Sequence, residues 1–481
     1  MGGFIAVVRA EAVRTKGSAA ASLPWIGLIV AGISFAGILI TPQSQERAAL
    51  LWQTLYVTGM AAPVMVLLAS QVVARETNAR AGGTAWRASS SRMVALGRFM
   101  VLAALSALFH ALAFWLVIPL SLAVGAPTDV SRIMWAGAAC WIATLGVLFL
   151  GFVVSDRFGT IAAFLAACAW QVIGVLAAES ASWVMLPPTW AVRAMLPVLG
   201  AHQNAEPITA GEPLLTESPF LALALGLLLA VTSVVVTVFG PAKTRGDRAG
   251  DNRPTGRRST QPGALRAVSA VMRGRAVLPL CAVAIVLSIV TAAVYPNTYL
   301  LGLHTYTLLP LSACIVAVLT WQSLAPGWRL LVIRPFNTPA AVRWWVLLCI
   351  SGITTTVLLS AIANALRRGE GTVDALIAIA RSGALWFVLG EAGTLAALWV
   401  TVRFGAGWTL GGSVILCVVG VTLGGDVLAA SGLWIVAPTA WPLSADTPGR
   451  FAVAVSFGVV IAVIAWIGCG RAMITAARRG G

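Results

Sequence analysis

Twelve stretches of mostly apolar sequence, each of about the 20 residues a helix needs to cross a bilayer, dominate this chain. In the first half they lie near residues 22–40, 53–74, 98–124, 133–155, 159–178 and 219–240. In the second half they lie near 276–294, 304–324, 344–365, 376–401, 405–428 and 451–470. With 59% hydrophobic and 10% charged residues, the chain has too little polar surface to clothe a soluble globule of its length. The expected fold is an all-α polytopic membrane protein of about twelve transmembrane helices. A signal peptide is the competing reading of the first stretch, which follows Arg9, Arg14 and Lys16. Eleven further stretches and the lack of a small-x-small cleavage site argue against it. All seven cysteines fall in apolar runs without a CxxC pair, so neither disulfides nor a metal centre are expected.

The same landmarks recur in order at a nearly constant offset. Trp86-Arg87 returns as Trp328-Arg329 (offset 242), Arg157-Phe158-Gly159 as Arg403-Phe404-Gly405 (246), and Pro188-Thr189 as Pro438-Thr439 (250). Each landmark is short, but three in one order mark an internal duplication. The sequence divides into a first six-span repeat at 1–240, a basic Gly/Pro-rich linker at 241–263 and a second six-span repeat at 264–481. Because six is even, both repeats enter the membrane in the same direction, as parallel repeats.

The net charge of +16 would point to nucleic acid in a soluble protein. Here its distribution assigns it to topology. With the N-terminus in the cytoplasm, 25 of the 32 basic residues fall on the cytoplasmic side, so the positive-inside rule places both termini there. No nucleic-acid partner is expected; the lipid bilayer is.

A short amphipathic segment opens each half. Phe4, Ile5, Val8 and Ala12 share a helical face in the first, and Leu265, Val268, Val271 and Met272 do so beside Arg266 and Arg273 in the second. Both read as interfacial elbow helices lying in the headgroup plane. Between the second and third spans, the first half carries Arg75-Glu76, Gly82-Gly83-Thr84-Ala85-Trp86-Arg87 and Arg92. The second carries Pro326-Gly327-Trp328-Arg329 and Arg334. An exposed Trp beside an Arg is a protein-contact anchor, large in area with a charge to fix orientation; a Trp in the headgroup layer is the plainer alternative.

Elbow, two spans, a loop of Glu, spacer, Gly-x-Trp-basic and a Ser/Pro-rich turn, then four more spans: this pattern resembles the permeases of ABC-2-type exporters. Within them it is most similar to bacitracin and lantibiotic immunity permeases, with two six-span subunits fused. The resemblance implies a multi-pass protein of a bacterial plasma membrane that exports an amphipathic antibiotic, peptide or drug and so confers antibiotic resistance. It places Glu76, Trp86, Arg87, Arg92, Trp328, Arg329 and Arg334 at coupling loops that dock two copies of a P-loop ATPase, the partner that binds ATP and Mg. In the second half Leu324-Ala325 replaces Arg75-Glu76, which implies asymmetric docking. This chain has no G-x-x-x-x-G-K-[ST] motif and is not expected to hydrolyse ATP itself or to carry a cofactor.

Polar residues inside spans are costly and mark candidate sites on a translocation path. Glu391, flanked by Gly390 and Gly393, is the clearest; His110 and Gln171 follow, each with an interhelical hydrogen bond as its structural alternative. The stretch His202–Glu217, with Glu206, Glu212 and Glu217, has no long counterpart in the second half and is a candidate screen for cationic substrates. A twelve-span secondary transporter of the major facilitator type is the alternative function, although its G-x-x-x-D-R-x-G-R-R-like turn is missing. A lipid-linked glycosyltransferase would carry paired acids in the first outer loop, which offers Glu46 alone.

Overall fold

A computed structural model describes residues 2–40, 48–81, 91–239, 264–272, 276–332, 337–424 and 432–479. The chain divides into two compact units, residues 1–246 and 247–481. The predicted linker 241–263 lies outside the described residues. These are helical almost throughout and form no strand, apart from an isolated bridge between Ala201 and Pro207. Nine of the described helices are long and apolar enough to cross a membrane, ten if one bent pair counts as a single span. The protein is thus a polytopic α-helical membrane protein.

Unit 1 contains α1 (Gly2–Thr15), α2 (Ala19–Ile40), α3 (Ala48–Gly59), α4 (Ala61–Ala81), α5 (Arg92–Ala123), α6 (Val130–Phe158), α7 (Thr160–Leu176), α8 (Thr189–Leu199), α9 (Pro213–Thr216) and α10 (Phe220–Phe239). Unit 2 contains α11 (Ala264–Met272), α12 (Val277–Val294), α13 (Asn297–Val332), α14 (Thr338–Arg367), α15 (Val373–Phe404), α16 (Ala406–Gly424), α17 (Trp441–Ser444) and α18 (Pro448–Arg479). Side-chain caps set three of the starts. Asp129, Asn337 and Thr372 each accept the backbone N–H three residues on, satisfying a donor the helix leaves open. Two ends share one device: Gly159 and Gly405 take φ of 86° and 94°, where a side chain would be strained. Each glycine closes one helix and admits the next at the following residue, which explains the repeated Arg-Phe-Gly landmark.

α7 has 17 residues and spans about 26 Å, short of the roughly 30 Å hydrocarbon layer. Behind it the chain turns through Trp183–Met185 and α8 instead of leaving the bundle. After α16, Gly432–Val436, Pro438–Ala440 and α17 do the same. In both turns the tryptophan N–H is used locally: Trp190 Nε1 donates to Val184 O (2.9 Å) and Trp441 Nε1 to Trp434 O (2.9 Å).

Small residues allow the closest crossings. At α6–α10, a Cβ on Gly146 would lie 2.6 Å from the carbonyl oxygen of Gly226, so the two backbones nearly touch. Gly146→Leu is expected to wedge this crossing open at a cost of about 3 kcal/mol. The check is the fraction surviving as a single size-exclusion peak after graded heating.

Proline directs the irregular turns. α3 and α4 meet at a 59° bend. Pro63, early in α4, has no N–H to return to Gly59 and its ring crowds that carbonyl. In α13 a π turn, His304–Leu308, stands before Pro310; in α5 another, Ala111–Trp115, stands before Pro119. Each wider turn absorbs the missing hydrogen bond.

Candidate functional site

At one end of unit 1, α1 lies against the start of α5 and meets the end of α4. Gly97 makes the approach possible, since a Cβ there would sit 3.1 Å from Val7 Cγ1. The face of α1 turned toward α4 and α5 carries polar residues. Ile5 is 63% exposed, whereas Glu11 and Thr15 are each 3% exposed and point into the protein. The reason is the solvent: lipid accepts Ile5 and Val13 at no cost, but a carboxylate must find donors.

Glu11 finds them in three helices. Its Oε1 accepts from Arg14 Nη1 (2.8 Å), and its Oε2 accepts from Arg75 Nη2 at the end of α4 (2.7 Å). Arg98 Nε on α5 stands 3.9 Å from Oε1. Glu76 Oε2 accepts from Arg14 Nη2 (3.1 Å) and Arg98 Nη2 (3.0 Å), and Arg75 Nη1 donates to Thr15 Oγ1 (2.6 Å). Two carboxylates thus hold three guanidinium groups in charge-assisted contacts, a net formal charge of +1. Glu76, predicted at a docking loop, is 8% exposed and turned inward. It belongs to a weld joining the elbow to the second and third spans. Glu11, the other half of the weld, is missed by a reading of α1 that looks only for a shared apolar face.

The corresponding end of unit 2 is built from aromatic contacts. In α11 the buried residues against α14 are Val268 and Met272. Aligning Arg266-Ala267 with Arg9-Ala10 puts Val268 in the place of Glu11. Trp328, expected as an exposed anchor, is 1% exposed. Its Nε1 donates to Met473 O (2.8 Å) and its ring meets Trp321 edge-on at 5.1 Å. It fastens α13 to α18. Arg343 lies over the Trp466 ring at 3.9 Å and donates from Nη1 to Trp466 O (2.8 Å). Arg329, one residue beyond Trp328, is exposed, as is Arg92, whose guanidinium stands 5.2 Å from the Phe239 ring. Trp86, Arg87 and Arg334 lie outside the described residues.

The interior candidates are now placed. His110 Nδ1 faces Ser106 O (2.8 Å), an acceptor, so that nitrogen carries the proton. Nε2 is then free to accept from the Tyr56 hydroxyl (3.1 Å), with Thr144 Oγ1 at 3.3 Å. Gln171 braces the α3–α4 bend: its Nε2 donates to Val57 O and Thr58 O (2.9 Å each), and its Oε1 accepts from Ala62 N (2.8 Å). A side-chain amide thereby substitutes for the hydrogen bonds broken at the bend. In unit 2, Glu391 is half-buried and accepts from Ser351 Oγ (3.3 Å). Gly390 lets α15 approach α13 and α14, for its Cβ would lie 3.0 Å from Leu309 Cδ1 and 3.3 Å from Ile350 Cγ1. His304, in the π turn of α13, is fully buried edge-on to Trp386 at 4.8 Å. No group of three or more His, Cys, Asp or Glu among the described residues is arranged to hold a metal ion.

No family model, curated protein or solved structure matches this chain. The functional reading therefore rests on the arrangement itself. It offers helices joined at one end by buried charges or aromatic contacts and broken partway along by braced bends, which suits rigid movement about internal joints.

Proposed function

We propose that the chain is the membrane-spanning permease of an ATP-driven exporter. Two parallel six-span repeats would form it, with the ends carrying α1 and α11 in the cytoplasm. Its cargo would be an amphipathic antibiotic, peptide or drug. One observation carries the reading: the ion weld ties the elbow α1 to the last two turns of α4 and the first turns of α5, the two helices on either side of residues 82–90. A push on that segment is passed to both spans and to the elbow together. The bend braced by Gln171 is where such movement is taken up. Two separate P-loop ATPases would supply the push, with Arg92 and Arg329 as exposed charges available to meet them.

Purification from native membranes in mild detergent should bring down a P-loop ATPase with vanadate-sensitive activity stimulated by the permease. In the double variant Arg92→Glu, Arg329→Glu the stimulation should fall about tenfold, the loss of roughly 1.4 kcal/mol of docking energy. One observation favours a secondary transporter instead: Glu391 is a half-buried carboxylate midway along a span, where proton carriers sit. Purified protein without any ATPase that moves cargo on a proton gradient, and loses this in Glu391→Gln, would replace the exporter reading.

A further inference from the structure

The end of unit 1 opposite the weld is closed by an ordered cap. α10 runs from that end at Phe220 to Phe239 beside Arg92, a distance of about 30 Å. The cap is residues 200–217. The bridge between Ala201 and Pro207 folds it back on itself, with His202 N donating to Glu206 O (2.8 Å) and Ile208 N to Gly200 O (3.0 Å). Ala205 turns the corner at φ 67°. Ile208 and Leu214 seat the cap on Ala178, Val192 and Leu196.

One side chain ties the cap to the turn after α7. His202 Nδ1 stands 3.0 Å from Glu179 Oε2, and its Nε2 stands 3.1 Å from Glu212 Oε2. Glu179 also accepts from Gln203 N (2.8 Å), while Glu212 is held by Thr209 through N (3.0 Å) and Oγ1. Both ring nitrogens face carboxylate oxygens, which only accept. A neutral imidazole has one N–H, so its other nitrogen would point a lone pair at a carboxylate; the arrangement requires the doubly protonated ring.

We propose that His202 is an acid-operated latch: protonated, it clasps Glu179 and Glu212 and holds cap 200–217 shut, and deprotonated it releases the cap. The charged groups around it are Glu179 from the turn after α7, and Glu206 and Glu212 from the cap. Arg193 of α8 is already engaged by Glu217 and by Ala178 O (3.2 Å), so it does not compete for these acids. The Glu179 hydrogen bond raises the His202 pKa above its ordinary 6.5, with the charges of Glu179, Glu212 and Glu206 adding to it against slight burial. Hydrogen bonds from Thr209 hold the Glu212 carboxyl below its usual range and so keep it charged. A pKa raised on folding fixes the sign: the latch is fully made below about pH 6.5 and is lost as pH rises through the folded value. The latch stands on this local geometry and is independent of what the permease carries.

Hydrogen exchange of the full-length protein in lipid nanodiscs tests it, corrected for the intrinsic pH dependence of exchange. Protection of peptides covering 200–217 should fall about tenfold between roughly pH 5.5 and roughly pH 8.5. His202→Gln should show the open-state level at both. Diethylpyrocarbonate, which modifies neutral imidazole, gives an independent readout because His110 and His304 are buried. Its rate on His202 should have a midpoint above 6.5 that moves down in Glu179→Gln and in Glu212→Gln. Equal protection at the two pH values, or a midpoint that neither glutamate variant moves, would overturn the latch.

Discussion

Replacing Glu11 by alanine is expected to destabilise unit 1 by about 3–5 kcal/mol, the usual cost of leaving a buried charge without its partner. The side chain of Glu11 is 4% exposed, and Arg75 and Arg98, at 14% and 12%, cannot swing into water without leaving their helices. Loss of the carboxylate removes the acceptors for Arg14 Nη1 and Arg75 Nη2 and leaves Glu76 to neutralise three guanidinium groups. Glu11→Gln should cost less, since the amide oxygen still accepts one bond. Thermal unfolding in detergent should show a downward shift on the order of 10 °C for Glu11→Ala. Unit 2 supplies the sharper control. With Val268 and Leu324-Ala325 it packs the corresponding region without acids, so Glu11→Val, Arg75→Leu and Glu76→Ala together should recover at least half of the loss. Recovery will stop short of complete because Arg98 then lacks the kind of partner that Arg343 has in Trp466. A Glu11→Ala protein that melts like the wild type would show the weld to be ornamental. Among the described residues, unit 1 would then have no ion-paired joint holding α1 to α4 and α5.

The weld also shows what could be read from this sequence and what could not. Helix positions were legible because bilayer thickness imposes a length, and the predicted stretches fall on helices α2 to α18. Their ends were less so: α7 is 17 residues long, and the apolar run to residue 178 gives no sign that the chain turns back through Trp183–Met185. The Arg-Phe-Gly landmarks had a local cause, the positive-φ glycines 159 and 405, which a reader can recognise from the glycine before a new apolar run. On α1 the apolar Ile5 lies exposed, where lipid accepts it, while Glu11 turns inward; an interfacial-helix pattern gives no sign of which polar residue finds partners on neighbouring helices. Nor does the local sequence show that Trp328 is buried. A Trp-Arg pair after Pro-Gly looks like a surface anchor, yet the facing helix α18, more than 140 residues away, offers its ring a carbonyl at Met473. His110 and Gln171, expected as candidates on a translocation path or as interhelical hydrogen-bond formers, make such hydrogen bonds, and apart from Ser106, in the same helix as His110, their partners come from other helices and have no local signal.

Gln171→Leu is expected to be the most damaging single change in the interior of unit 1. It keeps the volume and removes three hydrogen bonds at once, stranding Val57 O, Thr58 O and Ala62 N in apolar surroundings. At about 1–3 kcal/mol for each orphaned group, and with partial relaxation of the bend, the loss should be roughly 4 kcal/mol. Gln171→Asn should lose nearly as much, because a side chain one methylene shorter does not span the bend. The decisive comparison adds Pro63→Ala. Restoring an N–H at residue 63 lets α3 and α4 run together as an ordinary helix, with Ala61, Ala62 and residue 63 donating to Val57, Thr58 and Gly59. The double variant should therefore unfold at a higher temperature than Gln171→Leu alone. If transport needs the bend, the same double variant should be folded but inactive, which separates the stabilising task of Gln171 from the mechanical one. Equal stability of Gln171→Leu and the double variant would mean that Pro63 does not cause the bend, and that the brace secures a geometry imposed by packing from α7 and α8.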